Sequence, residues 1–275
     1  MPPPIMATSS RPSPFPALSP TPLGPYARQG AETVRSLTDA GLLRRQDAGV
    51  AAPAAFSVVI PALNEESRVS RAIGSARDEG EVIVVDGGSR DHTREVAATA
   101  GARVVSSPPS RGRQLNHGAR ATSGAWLVFL HADTRLEEGW ADALRRLRSD
   151  VVGGAFRFAV DSPRTAYRLV EVGVALRCRL LRLPYGDQAL FARRGAYEMI
   201  GGFAPIPLME DLDFVRRLRR VGPLAFPGRR AFTSPRRWER AGILRTTLRN
   251  WWLLALYAGG WSPSRLAALY EAGTR

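Results

Sequence analysis

The sequence contains no lysine; its 39 basic residues are all arginine and outnumber 25 acidic ones, for a formal net charge of +14. A surplus of that size favours polyanionic partners: nucleic acid, anionic lipid headgroups or a phosphorylated substrate. Cysteine is almost absent too. Cys178 stands alone, which excludes an intrachain disulfide and fits a reducing compartment. No run reaches the roughly 18 to 20 apolar residues that a membrane-crossing helix needs. The nearest, Trp251 to Trp261, is too short and follows Arg236, Arg237, Arg240, Arg245 and Arg249. That basic-then-aromatic order suits a helix lying on a membrane surface, and equally a core helix with a solvated arginine face. Residues 1–25 are crowded with proline and serine and lack the apolar core of a secretory signal. Aromatics make up only 8% and the arginines are scattered, so nucleic-acid binding has little beyond net charge to support it.

What is present, from Phe56 onward, is an alternation of short apolar runs and helical patterns. The spacing predicts strands over 56–60, 81–85, 102–105 and 126–131, and helices over 65–77, 91–100, 112–122 and 137–148. Such alternation means a parallel sheet with helices on both faces. Past residue 150 the rhythm becomes α+β: a strand over 153–158, a long amphipathic helix over 165–181, a short strand over 189–192 and a helix from about 210 to 220. The expected organisation is a disordered tail and linker over 1–53, with a short helix at 31–46, then a domain over 54–240 and an amphipathic helical segment over 241–275. Within the domain, 54–150 is expected to be the nucleotide half and 151–240 the acceptor half.

Three of the strands end on polar groups, and in open α/β sheets ligands bind outside the carboxyl ends of the strands. The first exit carries Pro61, Asn64 and Glu65, whose amide and carboxylate suit a base and ribose. The second carries Asp86, then Gly87-Gly88, which permit a tight turn and close approach of a ligand, then Ser89 and Asp91. A buried Asp86 without a partner is costly, which points to ligand contact; Asp91 suits a helix cap as well as a ligand. Arg111-Gly112-Arg113 opens a helix, where arginines and backbone amides favour phosphate. The third exit is His131-Ala132-Asp133, with Asp133 the metal candidate and His131 on the same side of an extended strand, as ligand or orienter. Later, Glu210-Asp211 opens a helix, and Asp211 is the candidate base. Gly154, Asp187, Gln188, Glu210, Arg237 and Trp238 are candidates for the donor-sugar and acceptor side.

Taken together, Val58 to Glu65, Asp86 to Asp91, Gly112 to Ala119, His131-Ala132-Asp133 and Glu210-Asp211 resemble the family 2 inverting glycosyltransferases of the GT-A fold, over about residues 56–240. The likeness looks strongest to a small bacterial subgroup whose metal motif begins with His, often labelled carotenoid or diaponeurosporenoate glycosyltransferases. The resemblance implies a Rossmann-like, mostly parallel sheet with helices on both faces and an α+β acceptor-side half. It implies that Pro61, Asn64, Glu65, Asp86 and Ser89 hold the nucleoside, that Asp133 binds Mn²⁺ or Mg²⁺, and that Asp211 is the base. Two departures stand out: His131 replaces the usual first Asp of the metal motif, and Thr233 to Trp238 lacks the glutamine of the late Gln-x-x-Arg-Trp motif of processive synthases. The second, with no membrane-crossing run, points to transfer of a single sugar. The expectation is an inverting transfer of one hexose from a nucleotide sugar, UDP-linked, to a small or lipid acceptor, in the cytoplasm and in peripheral contact with the inner membrane face. The alternatives are a nucleotidyltransferase acting on a sugar phosphate, which would need a glycine-rich basic loop where Pro61 to Glu65 stands, and a basic nucleic-acid-binding protein.

Overall fold

The computed structural model describes residues 55–272; the tail and short helix expected before residue 54 lie outside the described residues. The first half contains β1 (Phe56–Ala62), α1 (Val69–Gly74), β2 (Glu81–Asp86), α2 (Thr93–Thr99), β3 (Arg103–Ser106), α3 (Arg111–Arg120), β4 (Trp126–Phe129), β5 (Thr134–Leu136) and α4 (Trp140–Arg145). Then follow β6 (Gly153–Ala155), β7 (Arg157–Val160), α5 (Ala166–Leu181), a 3-10 turn (Gly186–Gln188), β8 (Leu190–Arg193), α6 (Arg194–Met199) and α7 (Glu210–Leu218). The chain closes with β9 (Leu224–Ala225), β10 (Arg230–Thr233), α8 (Arg236–Ala241), α9 (Ile243–Ala258) and α10 (Pro263–Ala272).

The main sheet has seven strands in the order β3-β2-β1-β4-β8-β6-β9, and only β8 runs against the rest. Side chains alternate across a strand, so a sheet covered on both faces must be apolar at every position. That is why β1, β2 and β4 read as continuous apolar runs. Val58, Ile60, Val82, Val84 and Val128 enter the core under α1, α2 and α4. Val59, Ile83, Val85, Leu127 and Phe129 enter the opposite core, with Leu115, Phe203 and Phe214.

Several expected elements differ in extent. The helix expected over 65–77 is confined to Val69–Gly74. Its first amides are held elsewhere: Glu65 N–H donates to Thr93 Oγ1 (2.8 Å) and Glu66 N–H to Asp91 Oδ2 (3.2 Å). Ser75 ends it, donating its hydroxyl to Ala72 O (2.7 Å) and accepting from Leu136 N–H (3.0 Å). The helix expected over 137–148 is likewise short, Trp140–Arg145, starting after Gly139 in a left-handed conformation; ahead of it Thr134 to Leu136 forms β5, which pairs with β10 in a second sheet of order β5-β10-β7. The strand expected over 153–158 is two strands that belong to different sheets, switching at the buried Phe156. Among the described residues no helix is long and apolar enough to cross a membrane.

Helix α3 sits directly on β1 and β2 because Gly118 has no side chain. A Cβ there would lie 2.3 Å from Val59 Cγ1 and 2.9 Å from Val85 Cγ2. Gly118→Ala is therefore expected to destabilise by about 1–3 kcal/mol through overpacking, against the small gain alanine gives a free helix. A urea unfolding midpoint unchanged or raised in the variant would refute this seating.

Candidate active site

The exits of β1 and β2 are laced to one another. Asn64 adopts a left-handed backbone, φ 55°. Its N–H donates to Ser89 Oγ (2.9 Å) and its Oδ1 accepts from Arg90 N–H (2.9 Å). Pro61 sits in β1 opposite Val85. Asp86 is buried, and its carboxylate accepts from Gly88 N–H (3.1 Å) and from Ser89 N–H. This corrects the argument that burial of Asp86 calls for a ligand, since amides of its own loop already satisfy it. Asp91 accepts from Thr93 N–H (3.1 Å) at the start of α2, the capping reading.

Beneath these loops lies Gln114, which sequence reasoning passed over. Its Nε2 donates to Ala62 O (3.1 Å) and Val85 O (2.8 Å), tying the ends of β1 and β2 together. The space it takes leaves no room for a side chain at 87, where a Cβ would meet Nε2 at 2.9 Å. The signal was available: Gln114 shares the helical face of Leu115 and Gly118, and a polar residue on a buried face needs partners.

At the end of β4 the expected strand over 126–131 is cut short. It stops at Phe129, and Thr134 N–H donates to His131 O (3.0 Å), so His131 and Asp133 lie in a turn between β4 and β5. Their placement on one side of an extended strand is corrected accordingly. His131 faces Gly186, where a Cβ would lie 2.9 Å from His131 Nε2 and 3.4 Å from Asp211 Oδ2. Asp211 Oδ2 accepts from Gly186 N–H (2.8 Å), and Oδ1 from Leu212 N–H (2.8 Å). Glu210, 2% exposed, forms an ion pair with Arg111 (3.0 Å), whose side chain is 46% exposed. Arg111, His131, Gly186, Glu210 and Asp211 thus line one small pocket floored by Leu115, Phe129 and Phe203. Burial pushes the His131 imidazole down to about 4, with Arg111 adding to the effect, so the ring is neutral near pH 7. Burial raises the Glu210 carboxyl, opposed by Arg111, and Glu210 in turn holds Arg111 in its charged form.

The remaining candidates are placed more variously. Arg113 is exposed on α3. Gln188 is a structural staple: its Oε1 accepts from Arg177, Tyr185 N–H and Cys178, and its Nε2 donates to Phe156 O. Asp187 has one buried carboxylate oxygen with no hydrogen-bond partner, and burial raises its pKa. Gly154 lies inside the main sheet, where a Cβ would strike Ala225 O at 1.8 Å, so packing alone demands glycine. Trp238 is buried against Phe158 and Tyr167, which rules out its closing over the cleft in this conformation. Arg237 is exposed and close enough to act electrostatically on His131 and Asp187. The residue that does reach the cleft carboxylates is its neighbour Arg236, read in the sequence only as part of a basic run, which pairs with Glu65 and with Asp133 (3.4 Å).

Among the described residues no three His, Cys, Asp or Glu side chains are assembled as a ready metal site. Mg²⁺ and ions like it are commonly held by one or two carboxylates plus substrate phosphates, not by an all-protein cage. Asp133, with His131 beside it, fits that mode: one partly exposed carboxylate, 17% accessible, at the edge of a cleft flanked by arginines.

The chain is 35% identical over 143 residues to glycosyltransferase AglJ of Haloferax volcanii, covering 49% of this chain and 46% of that protein, so it spans just under half the length of that relative. A crystal structure of S. aureus TarS 1-349 superposes with a TM-score of 0.51 at 15% identity, over 66% of this chain and 60% of that one, a likeness of fold alone. One of glucosyl-3-phosphoglycerate synthase from Mycobacterium tuberculosis, in complex with Mn²⁺, UDP-glucose and phosphoglyceric acid, is 25% identical over 68% of this chain and 75% of that one. Its TM-score is 0.48. The profile described as "Glycosyl transferase family 2" matches residues 57–206, more than half of the chain and every strand exit described above. The mostly parallel α/β sheet is that of the GT-A glycosyltransferases, and the chain belongs to glycosyl transferase family 2.

Proposed function

We propose that the protein moves a single hexose from a nucleotide sugar, UDP-linked, to a hydroxyl of a small or lipid acceptor with inversion at the anomeric carbon. The observation that carries this reading is that Gly186 abuts both His131 and Asp211, which joins the strand-end motif of β4 to the carboxylate that opens α7. In a single displacement the acceptor oxygen attacks the anomeric carbon as the bond to the nucleoside diphosphate breaks. The acceptor proton passes to Asp211, whose carboxylate is fixed in place by the amides of Gly186 and Leu212. Asn64, Glu65, Asp86, Gly87 and Ser89, with Pro61 behind them, form the nucleoside side, and Arg111 and Arg113 flank the diphosphate. Mn²⁺ or Mg²⁺, held by Asp133 with His131, would offset charge on the leaving diphosphate. His131 meets the condition for a ligand or hydrogen-bond partner, since it is neutral at working pH. Nothing at the exit of β1 favours the nucleotidyltransferase alternative, because Glu65 stands where a basic phosphate loop would be needed. The proposed setting is the cytoplasm, with the C-terminal segment in contact with the inner membrane face.

Isothermal titration with UDP and GDP, each with Mn²⁺ and with EDTA, tests the donor site. UDP is expected to bind with Mn²⁺ and to bind at least ~10-fold more weakly with EDTA or in Asp133→Ala, a difference of about 1.4 kcal/mol or more. A folded protein that binds neither nucleotide sinks the reading. Asp211→Asn keeps the hydrogen-bond acceptor for Gly186 N–H on one oxygen but removes the base, and is expected to lower kcat by about 10²-fold or more with little change in donor affinity. Substantial residual activity would mean that the acceptor is already ionised, as a carboxylate is.

A further inference from the structure

Helix α5 was expected to be amphipathic, with one apolar side turned inward. Its inward side does carry apolar groups: Tyr167, Val170 and Val174 pack in a small core with Phe158, Val160 and Trp238. The outward side is apolar as well. Leu169, Val172, Leu176 and Leu180 are all exposed, Leu169 to 78%, at spacings of three, four and four. At 100° per residue they fall within a sector about 80° wide, opposite Tyr167 and Val174. Helix α9 repeats the arrangement. Thr246, Leu253 and Leu254 face inward, while Leu244, Leu248, Trp251 and Trp252 are exposed on the far side, Leu244 to 71%.

The two helices are neighbours through shared partners. Ile243 at the start of α9 joins the small core that seats α5. At their far ends both meet α7: Arg216 lies over the Tyr257 ring (4.8 Å), and Arg219 donates to Leu181 O (2.8 Å). Ten of the thirteen exposed large apolar side chains among the described residues fall on α5, α9 and the turns that follow them. Apolar exposure this concentrated marks an interaction surface.

Charge decides the occupant. Residues 162–182 and 240–265 contain nine arginines, all but the buried Arg177 at least partly exposed, and a single acid, Glu171, itself paired with Arg168. A second copy docking through this face would bring like charges together, whereas an anionic bilayer meets both the apolar stripes and the arginines around them. We infer that the outer faces of α5 and α9 together form a docking surface for an anionic lipid bilayer. This extends the membrane contact of the reading above from one C-terminal segment to a two-helix face. The assay for it contains no donor, acceptor or metal, so it can fail while the transfer reaction stands, and the reverse.

The full chain is mixed with vesicles of phosphatidylcholine alone or with phosphatidylglycerol, and bound protein is measured by flotation and by tryptophan fluorescence. Binding is expected to the anionic vesicles, to weaken with salt, and to shift the tryptophan emission to the blue. Leu176→Glu with Leu180→Glu, and separately Leu244→Glu with Leu248→Glu, should each reduce binding about tenfold or more while leaving the lipid-free melting temperature in place, because all four side chains are exposed. Absence of binding to either vesicle overturns the inference, as does binding undiminished in both pairs of variants. So does a dimer in sedimentation velocity that both pairs dissociate, which would assign the face to a second copy.

Discussion

Because β8 runs against β4, with Leu190 opposite Phe129, the residues just before β8 are delivered to the carboxyl end of β4. In a uniformly parallel sheet that end would be bordered by another strand exit. Here it is bordered by the 3-10 turn Gly186–Gln188, and Gly186 is small enough to let His131 and Asp211 close around it. Arg177 fixes the turn from behind, stacked over Tyr185 at 3.5 Å and bonded to Gln188. On the other side an aromatic cluster settles the distance to α7: Phe129 meets Phe203 edge-on at 4.8 Å, and Phe203 stacks on Phe214 at 4.1 Å. The residue two before His131 is thus packed, through one ring, against the helix that begins with Glu210 and Asp211. The strand reversal brings the turn, and the rings set its separation from α7; neither alone would join the two motifs.

How much of this was legible follows from burial. The strands β1, β2 and β4 carry unbroken apolar stretches, Val58 to Ile60, Val82 to Val85 and Trp126 to Phe129, because both faces are covered, and such runs are readable without a structure. Their exits were readable too, since a polar group directly after a buried run has few places to go. The short strands β5, β9 and β10 were not read, since their pairing is settled by distant partners such as Thr233, whose hydroxyl accepts from Thr134 Oγ1 at 3.2 Å. Missing β5 had a cost at the site itself: it made His131 and Asp133 seem to lie along one strand when they occupy a turn. Gln114 and Arg236 escaped for different reasons. The first hides among apolar neighbours whose period announces it, while the second acts across 171 residues of chain, and nothing in a local pattern encodes that separation.

Besides Asp86, which the amides of its own loop hold, five carboxylates sit around the cleft, and what separates them is the partner each already has. Glu210 is committed to Arg111, and Glu65 to Arg236. Both are matched by cations, Glu65 by Arg68 as well at 3.7 Å, and removing Arg111 would leave the buried Glu210 charge poorly compensated. Asp133 holds only a share of Arg236, at the longer distance of 3.4 Å, and keeps some exposure, so a divalent cation arriving with a diphosphate meets the least competition there. Asp187 has one buried oxygen with no hydrogen-bond partner, so it lacks the contacts that would hold both oxygens in place, and burial raises its pKa against the opposing pull of Arg177 and Arg237. Of these five, only Asp211 has amide donors on both oxygens and no ion pair with an arginine. A base must be held in one orientation yet remain free of a permanent counter-ion that would compete for the incoming proton. Of the five, Asp211 meets both conditions, so the assignment made from its position at a helix start gains a reason that the sequence did not contain.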